Sequence, residues 1–298
     1  MRVYLPDAHK GFYTGVRFDW SGVIGDLEFA GHHLYRPWFT AIDSTERDFA
    51  YTPDGVTAGA NSAATGPVEE FQTAFGYDTA KVGDTFLKIG VGILRKVEDR
   101  PYRFDTRAEL VDGGHWTSHA TATSITFTQT VGKPGDRYAY IYSKVLRLGA
   151  GSSFTLEHRL RNRGLVALTT PLYDHNFLTV DGAPVRSGTA VTVPYDLLPK
   201  TTAAQVSIGG HRATYRADLQ GQDKATFGLQ GFGTAASDYD FTVAAPGVSV
   251  RVQGDKPLVD GSVWSIRPVL AVEPFIQVDA QPAGEFTWKY TYTYSVPR

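Results

Sequence analysis

Two stretches of the chain carry side chains able to move protons. The first is Leu270-Ala-Val-Glu-Pro-Phe-Ile-Gln-Val-Asp279, where Glu273 stands among apolar residues. Carboxylates are seldom fully buried unless paired, so an acid in this setting has either a partner or a task. The second is Leu172-Tyr-Asp-His-Asn-Phe-Leu178. Read as a strand, it puts Tyr173, His175 and Phe177 on one face and Asp174 and Asn176 on the other. An imidazole between two aromatic rings suits stacking on a sugar and passing a proton. A histidine satisfied within a core is the plainer alternative.

Other chemistry-bearing residues are scattered. Gly66-Pro-Val-Glu-Glu-Phe71 falls in a Gly- and Ala-rich stretch over 51–83 that reads as loop. Glu69 and Glu70 there either bind sugar hydroxyls or face solvent. Lys88, Arg95 and Lys96 bring positive charge to a strand over 84–96. The two mid-strand glycines, Gly90 and Gly92, mark a bulge or a close approach by another backbone or a ligand. The pattern is not a phosphate loop, since no Gly-Lys-Ser/Thr follows. His32 and His33 are adjacent strand residues, so they point to opposite faces and do not simply chelate one ion. His158, in an Arg-flanked row, reads as surface. Asp238 and Asp240 flank Tyr239 and are weak candidates for touching a ligand. A Gly-x-Ser-x-Gly elbow, a His-Glu-x-x-His pair and a dinucleotide fingerprint are all absent. The spacing of histidines and acids offers no metal site, and no cofactor is expected.

These groups must be positioned by strands. The sequence has 298 residues, 13% of them aromatic, with 31 glycines and a single methionine. β-Branched and aromatic residues favour pleated surfaces, and glycines supply the turns. Ser124–Val131 alternates cleanly, as does much of 138–148. A Gly149-Ala-Gly-Ser152 turn leads into 154–161, completing a hairpin. Short strands continue through 185–255, and the chain closes on the Tyr-rich strand 286–294. Turns every 8 to 12 residues without a linker indicate one large all-β sandwich over residues 1–298. The chain lacks cysteine, which excludes disulfides and thiolate chemistry. A net charge of −2 without charge blocks offers no groove for nucleic acid. No apolar run approaches the roughly 20 residues of a spanning helix, and no signal peptide opens the sequence. Cytoplasm and periplasm are both compatible, and the composition would suit an exported bacterial protein.

Taken in order, the motifs resemble the galactose mutarotase (aldose 1-epimerase) superfamily. Phe154 to Arg161, Gly164 and then Tyr173-Asp-His-Asn-Phe-Leu178 are similar in layout to that family's Asn-His-x-Tyr-Phe-Asn-Leu region. Val272-Glu-Pro-Phe-Ile-Gln277, Asp279-Ala280, Ala283-Gly-Glu285 and Trp288 to Tyr294 are similar to its closing segment. The resemblance implies a large antiparallel β-supersandwich with a sugar site in its concave face. It implies Glu273 as the base that takes the anomeric hydroxyl proton and His175 as the acid that protonates the ring oxygen. Arg17, Glu69, Glu70, Lys88, Arg95 and Gln277 are the candidates for holding the sugar. Lys88 or Arg95 stands where the family carries a second histidine, because Ile89-Gly-Val-Gly-Ile-Leu-Arg95 has none. The expected partner is a small sugar or saccharide, and the protein is expected to be a monomer or homodimer. A carbohydrate-binding protein without turnover, and a saccharide lyase or hydrolase on the same fold, are the alternatives.

Overall fold

The computed structural model describes residues 1–296, and they are almost entirely strand and turn. In chain order the strands are β1 (Arg2–Val3), β2 (Ile24–Phe29), β3 (His32–Leu34), β4 (Ala41–Ile42), β5 (Phe49–Thr52), β6 (Gly55–Ala58), β7 (Gly66–Phe71), β8 (Thr85–Lys88), β9 (Gly92–Lys96), β10 (Ala108–Asp112), β11 (His115–Ala120) and β12 (Ser124–Val131). The second half adds β13 (Tyr140–Leu148), β14 (Ser153–Asn162), β15 (Leu168–Leu178), β16 (Ala190–Thr192), β17 (Val206–Gly209), β18 (Arg212–Tyr215), β19 (Lys224–Gly228), β20 (Asp240–Ala245), β21 (Val248–Gly254), β22 (Asp260–Ile266), β23 (Val269–Ala280) and β24 (Glu285–Ser295). A ten-stranded sheet runs β11-β12-β13-β14-β24-β21-β20-β16-β18-β17, and a five-stranded sheet runs β19-β22-β23-β15-β7. Both are antiparallel throughout, and three small three-stranded sheets complete the chain.

The two large sheets pack face to face. Phe71 of β7 meets Tyr142 of β13 and Trp288 of β24 edge-on, with centroids at 5.5 and 6.0 Å. This is the antiparallel sandwich expected from the sequence. It forms because the strands alternate. Phe154, Leu156 and Leu160 of β14 and Trp288, Tyr290, Tyr292 and Tyr294 of β24 are all buried, while the residues that alternate with them are half-buried or exposed. Paired antiparallel strands bring such rows into register on one face.

Three expectations change. Residues 66–71 are a buried strand, β7, and Glu69 and Glu70 are 0% and 2% exposed. With period-two alternation the two acids point to opposite faces of the five-stranded sheet. Residues 84–96 form a hairpin of β8 and β9 instead of one strand. Gly90 turns it at φ 80°, with no room for a Cβ, which would stand 2.8 Å from the Asp19 backbone. The close approach expected there is present: Trp20 donates its backbone N–H to the Gly90 carbonyl at 3.1 Å. His158 is buried instead of exposed, because it shares the inner face of β14 with Leu156 and Leu160. Its ring stacks on Trp288 at 4.7 Å.

His158 belongs to a polar cluster sealed between the sheets. Lys144 Nζ lies 2.5 Å from Glu69 Oε2 and 3.7 Å from Asp19 Oδ2, all three side chains being 0% exposed. The His158 Nε2 lies 3.2 Å from Glu69 Oε1. Tyr142 donates to Asp19 at 3.0 Å. Tyr292 donates to Asp174 and to Asn176. Burial pushes the Glu69 carboxyl up to about 8 against the pull of Lys144, and Asp174 up to about 7. Burial also opposes the Lys144 charge, but Glu69 and Asp19 outweigh it and hold the ammonium above its usual value. One cation thus faces three acids, and some of the acids keep their protons.

Candidate functional site

The other face of the five-stranded sheet floors a cavity of about 460 Å³. Its geometry follows from strand register. Tyr173 pairs with Phe275 and Asn176 with Val272, so His175 stands across from Glu273 on the neighbouring strand. Glu273 in turn pairs with Ser262 of β22. His175, Glu273 and Ser262 therefore make one polar row across β15, β23 and β22. An aromatic row lies on each side of it. Toward one end of the strands are Phe177 and Trp264, with Thr226 of β19 opposite Trp264. Toward the other end are Tyr173 and Phe275, with Glu70 of β7 opposite Tyr173.

The two proton-moving candidates are in contact: His175 Nε2 lies 3.3 Å from Glu273 Oε1. Ser262 donates its hydroxyl to Glu273 Oε2 at 3.1 Å, which leaves Oε1 directed at the histidine. The imidazole stacks on Phe177 at 3.7 Å and meets Phe18 edge-on at 5.5 Å. Its Nδ1 is buried without a hydrogen-bond partner, so aromatic packing fixes the ring. Burial pushes the Glu273 carboxyl up to about 7, against smaller opposing effects of Arg17 and Ser262. Burial, with the Arg17 charge nearby, pushes His175 well below the usual histidine range. Below about pH 7 the pair therefore holds one proton, resting on the carboxyl. Two such interacting groups titrate as a unit.

A second charged group borders the pair. Arg17 donates to Glu70 Oε2 at 2.6 Å and to the Tyr173 hydroxyl at 2.7 Å, and Tyr173 also donates to Glu70. The guanidinium lies between Phe18 and Phe104, 4.4 Å from each ring centre. Lys88 is fully buried behind Glu70, with Nζ 3.6 Å from Oε1. Burial alone would raise the Glu70 carboxyl, but Arg17 and Lys88 hold it below its ordinary value. Burial draws the Lys88 ammonium down to about 8. Glu70 is thus a fixed anion that orients Arg17.

The sequence candidates divide accordingly. His175, Glu273, Arg17 and Glu70 line the cavity, and Lys88 backs it from within the wall. Glu69 faces the other way, into the inter-sheet cluster. Arg95 points outward from β9, between inward Leu94 and Lys96, and pairs with Glu109 at 3.2 Å. Gln277 is exposed, one alternation beyond Phe275 and outside the cavity lining. Asp240 pairs with Arg251, and Asp238 accepts from the Gly233 N–H, so that stretch is also remote. His32 and His33 bond different acids, Asp181 and Asp26. Among the described residues, no group of three or more His, Asp or Glu could hold a metal ion.

Ser262, Trp264, Thr226 and Lys224 were not singled out by sequence reasoning. Alternation in Asp260–Ile266 could have placed Ser262 and Trp264 on one face. Nothing local shows that this face meets Glu273. Trp38, whose ring stacks on Phe177 at 5.7 Å, closes the aromatic end of the cavity and was likewise missed.

No protein-family model matches the chain, and no curated protein matches it. Among solved structures it is similar to a galactose mutarotase-like protein from Lactobacillus casei, at 12% identity over 92% of this chain and 100% of that one, with a TM-score of 0.47. A galactose mutarotase related enzyme from Lactobacillus acidophilus aligns at 12% identity over 80% and 90% of the two chains, with a TM-score of 0.44. An aldose epimerase homologue from C. elegans aligns at 12% identity over 84% and 92%, also with a TM-score of 0.44.

Proposed function

We propose that the protein interconverts the anomers of an aldose by general acid–base ring opening, with His175 and Glu273 as the acid–base pair. The observation that carries this reading is their 3.3 Å contact on adjacent strands at the floor of an aromatic-lined cavity. Ring opening needs a proton removed from the anomeric hydroxyl and another delivered to the ring oxygen. Both oxygens are bonded to the same carbon, so the two catalytic groups must also be neighbours.

The single proton of the pair suffices. With it on His175, Glu273 takes the hydroxyl proton while His175 protonates the ring oxygen. The C1–O5 bond breaks, an aldehyde forms, and rotation about C1–C2 exposes its other face. Reclosure returns a proton from Glu273 to the carbonyl oxygen and one from the O5 hydroxyl to His175. With the starting proton on Glu273 the two roles exchange. Arg17, held by Glu70 and Tyr173, supplies a fixed positive edge for sugar oxygens. The aromatic rows offer flat faces to the C–H faces of the ring.

A two-carboxylate hydrolase is less well supported. Glu70 has both carboxylate oxygens engaged, Oε2 by Arg17 and Tyr173 and Oε1 by Lys88, which disfavours it as the nucleophile or base such a pair needs. Asp48, the cavity's other carboxylate, accepts from the Ser62 hydroxyl at 2.7 Å. Anomer exchange followed by NMR over a panel of aldoses tests the proposal. Exchange above the spontaneous rate, lost in His175→Ala and Glu273→Ala, is the expected result. No exchange above background for any sugar refutes it, and sugar binding without exchange would then favour the carbohydrate-binding alternative.

A further inference from the structure

The cavity, about 460 Å³, is larger than one pyranose ring fills, and part of it extends beyond the His175–Glu273 pair to side chains of β19. The polar row His175–Glu273–Ser262 ends on β19 at Gly228, and beside it the Trp264 row reaches Thr226, with Lys224 two residues farther along the same face. All of these side chains line the same cavity. From Glu273 on β23 to Thr226 on β19 is two strand steps across and two residues along, roughly 12 Å at the usual spacings. A sugar whose anomeric carbon sits at the pair extends about half that distance before its far hydroxyl.

The surface reached beyond that point is suited to carbohydrate. Trp264 is half-buried, its ring held edge-on by Trp38 at 5.9 Å and Phe49 at 5.7 Å. Thr226 and Lys224 are exposed. They add a hydroxyl and three ammonium donors beside the indole. These groups sit on paired strands, so they hold a fixed geometry.

We infer that this end of the cavity is a subsite for a second sugar ring, and that the substrate is the reducing end of a saccharide of two or more rings. The inference rests on the acid–base reading for the placement of the first ring. The reducing-end ring lies between the His175–Glu273 pair and Trp264, and the next ring lies over Thr226 and Lys224.

Calorimetric titration of the intact protein with glucose, maltose and cellobiose tests this, alongside anomer exchange on the same sugars. At least one disaccharide is expected to bind ten-fold or more tightly than glucose. Thr226→Trp, which fills the subsite from an exposed strand position, should erase that advantage and leave glucose binding and glucose exchange unchanged. Lys224→Ala should reduce it. Equal or weaker binding of both disaccharides overturns the subsite, as does an advantage that survives Thr226→Trp or the absence of binding by all three sugars. Glucose exchange without a disaccharide advantage sinks the subsite and leaves the acid–base reading standing. A disaccharide advantage without exchange refutes the acid–base reading and with it the reducing-end placement, and leaves only the second-ring subsite standing.

Discussion

Replacing Glu273 by Gln isolates proton transfer from shape. The amide keeps the volume of the carboxyl and still accepts from the Ser262 hydroxyl, now 3.1 Å away, so folding and the aromatic rows should be unaffected. It cannot exchange a proton with substrate. A positioned acid or base is worth about 10²- to 10⁴-fold in rate. At about 1.4 kcal/mol per factor of ten, Glu273→Gln should raise the barrier by about 3–5 kcal/mol. Because His175 is 3.3 Å away and shares the proton, His175→Asn should cost a similar amount. The double variant should be little worse than either single one, since groups that act as a unit are not additive. The wild-type rate should be flat below neutrality and fall as pH rises through about 7, where Glu273 loses the shared proton. On the acid side it should fall only when the depressed His175 gains a second proton. Saturation-transfer NMR on equilibrated aldose gives the exchange rate at each pH. The reasoning fails if Glu273→Gln stays within about three-fold of wild type, against the loss expected of a base. It fails equally if the two single losses multiply in the double variant.

Three further outcomes concern the scaffold. Glu69, Asp174 and Glu273 have folded pKa values raised by burial, to about 8, 7 and 7, so their stabilising contribution is present at low pH and lost as pH rises. Between pH 7.5 and 8.5, where His158 and His175 are almost wholly neutral folded or unfolded, the melting temperature should fall as pH rises, chiefly through Glu69, as read by calorimetry. Lys144→Met leaves Glu69 and Asp19 buried without their cation and should cost about 3–5 kcal/mol in urea unfolding, most of it recovered by adding Glu69→Leu. Gly90→Ala forces a Cβ onto a left-handed residue against the Asp19 backbone and should cost about 1–3 kcal/mol by the same assay.

Much of the architecture was legible because strand alternation is local. Ser124–Val131 and the 172–178 face assignment carry over to β12 and β15 directly. What was missed depends on distant partners. Glu69 and Glu70 read as loop acids because two adjacent carboxylates in a Gly-rich stretch suggest solvent. They are buried because Lys144, 75 residues on, and Arg17, 53 residues back, meet them from other strands and loops. His158 was misread from its arginine neighbours, although its own alternation with Leu156 and Leu160 pointed inward. The row that places Ser262 beside Glu273 is a property of register between strands, which no single stretch contains.

The back-to-back placement of Glu69 with Glu70, and of Asp174 with His175, bears on how this chain tolerates change in length. Inserting or deleting one residue within β7 or β15 would invert every side chain beyond it, sending a cavity group into the sealed interior and an interior acid into the cavity. Two residues added together preserve parity and cost only a shift along the strand. Natural variants of this protein should therefore differ in strand length by even steps at these two elements, and odd steps should fall in the turns that connect them.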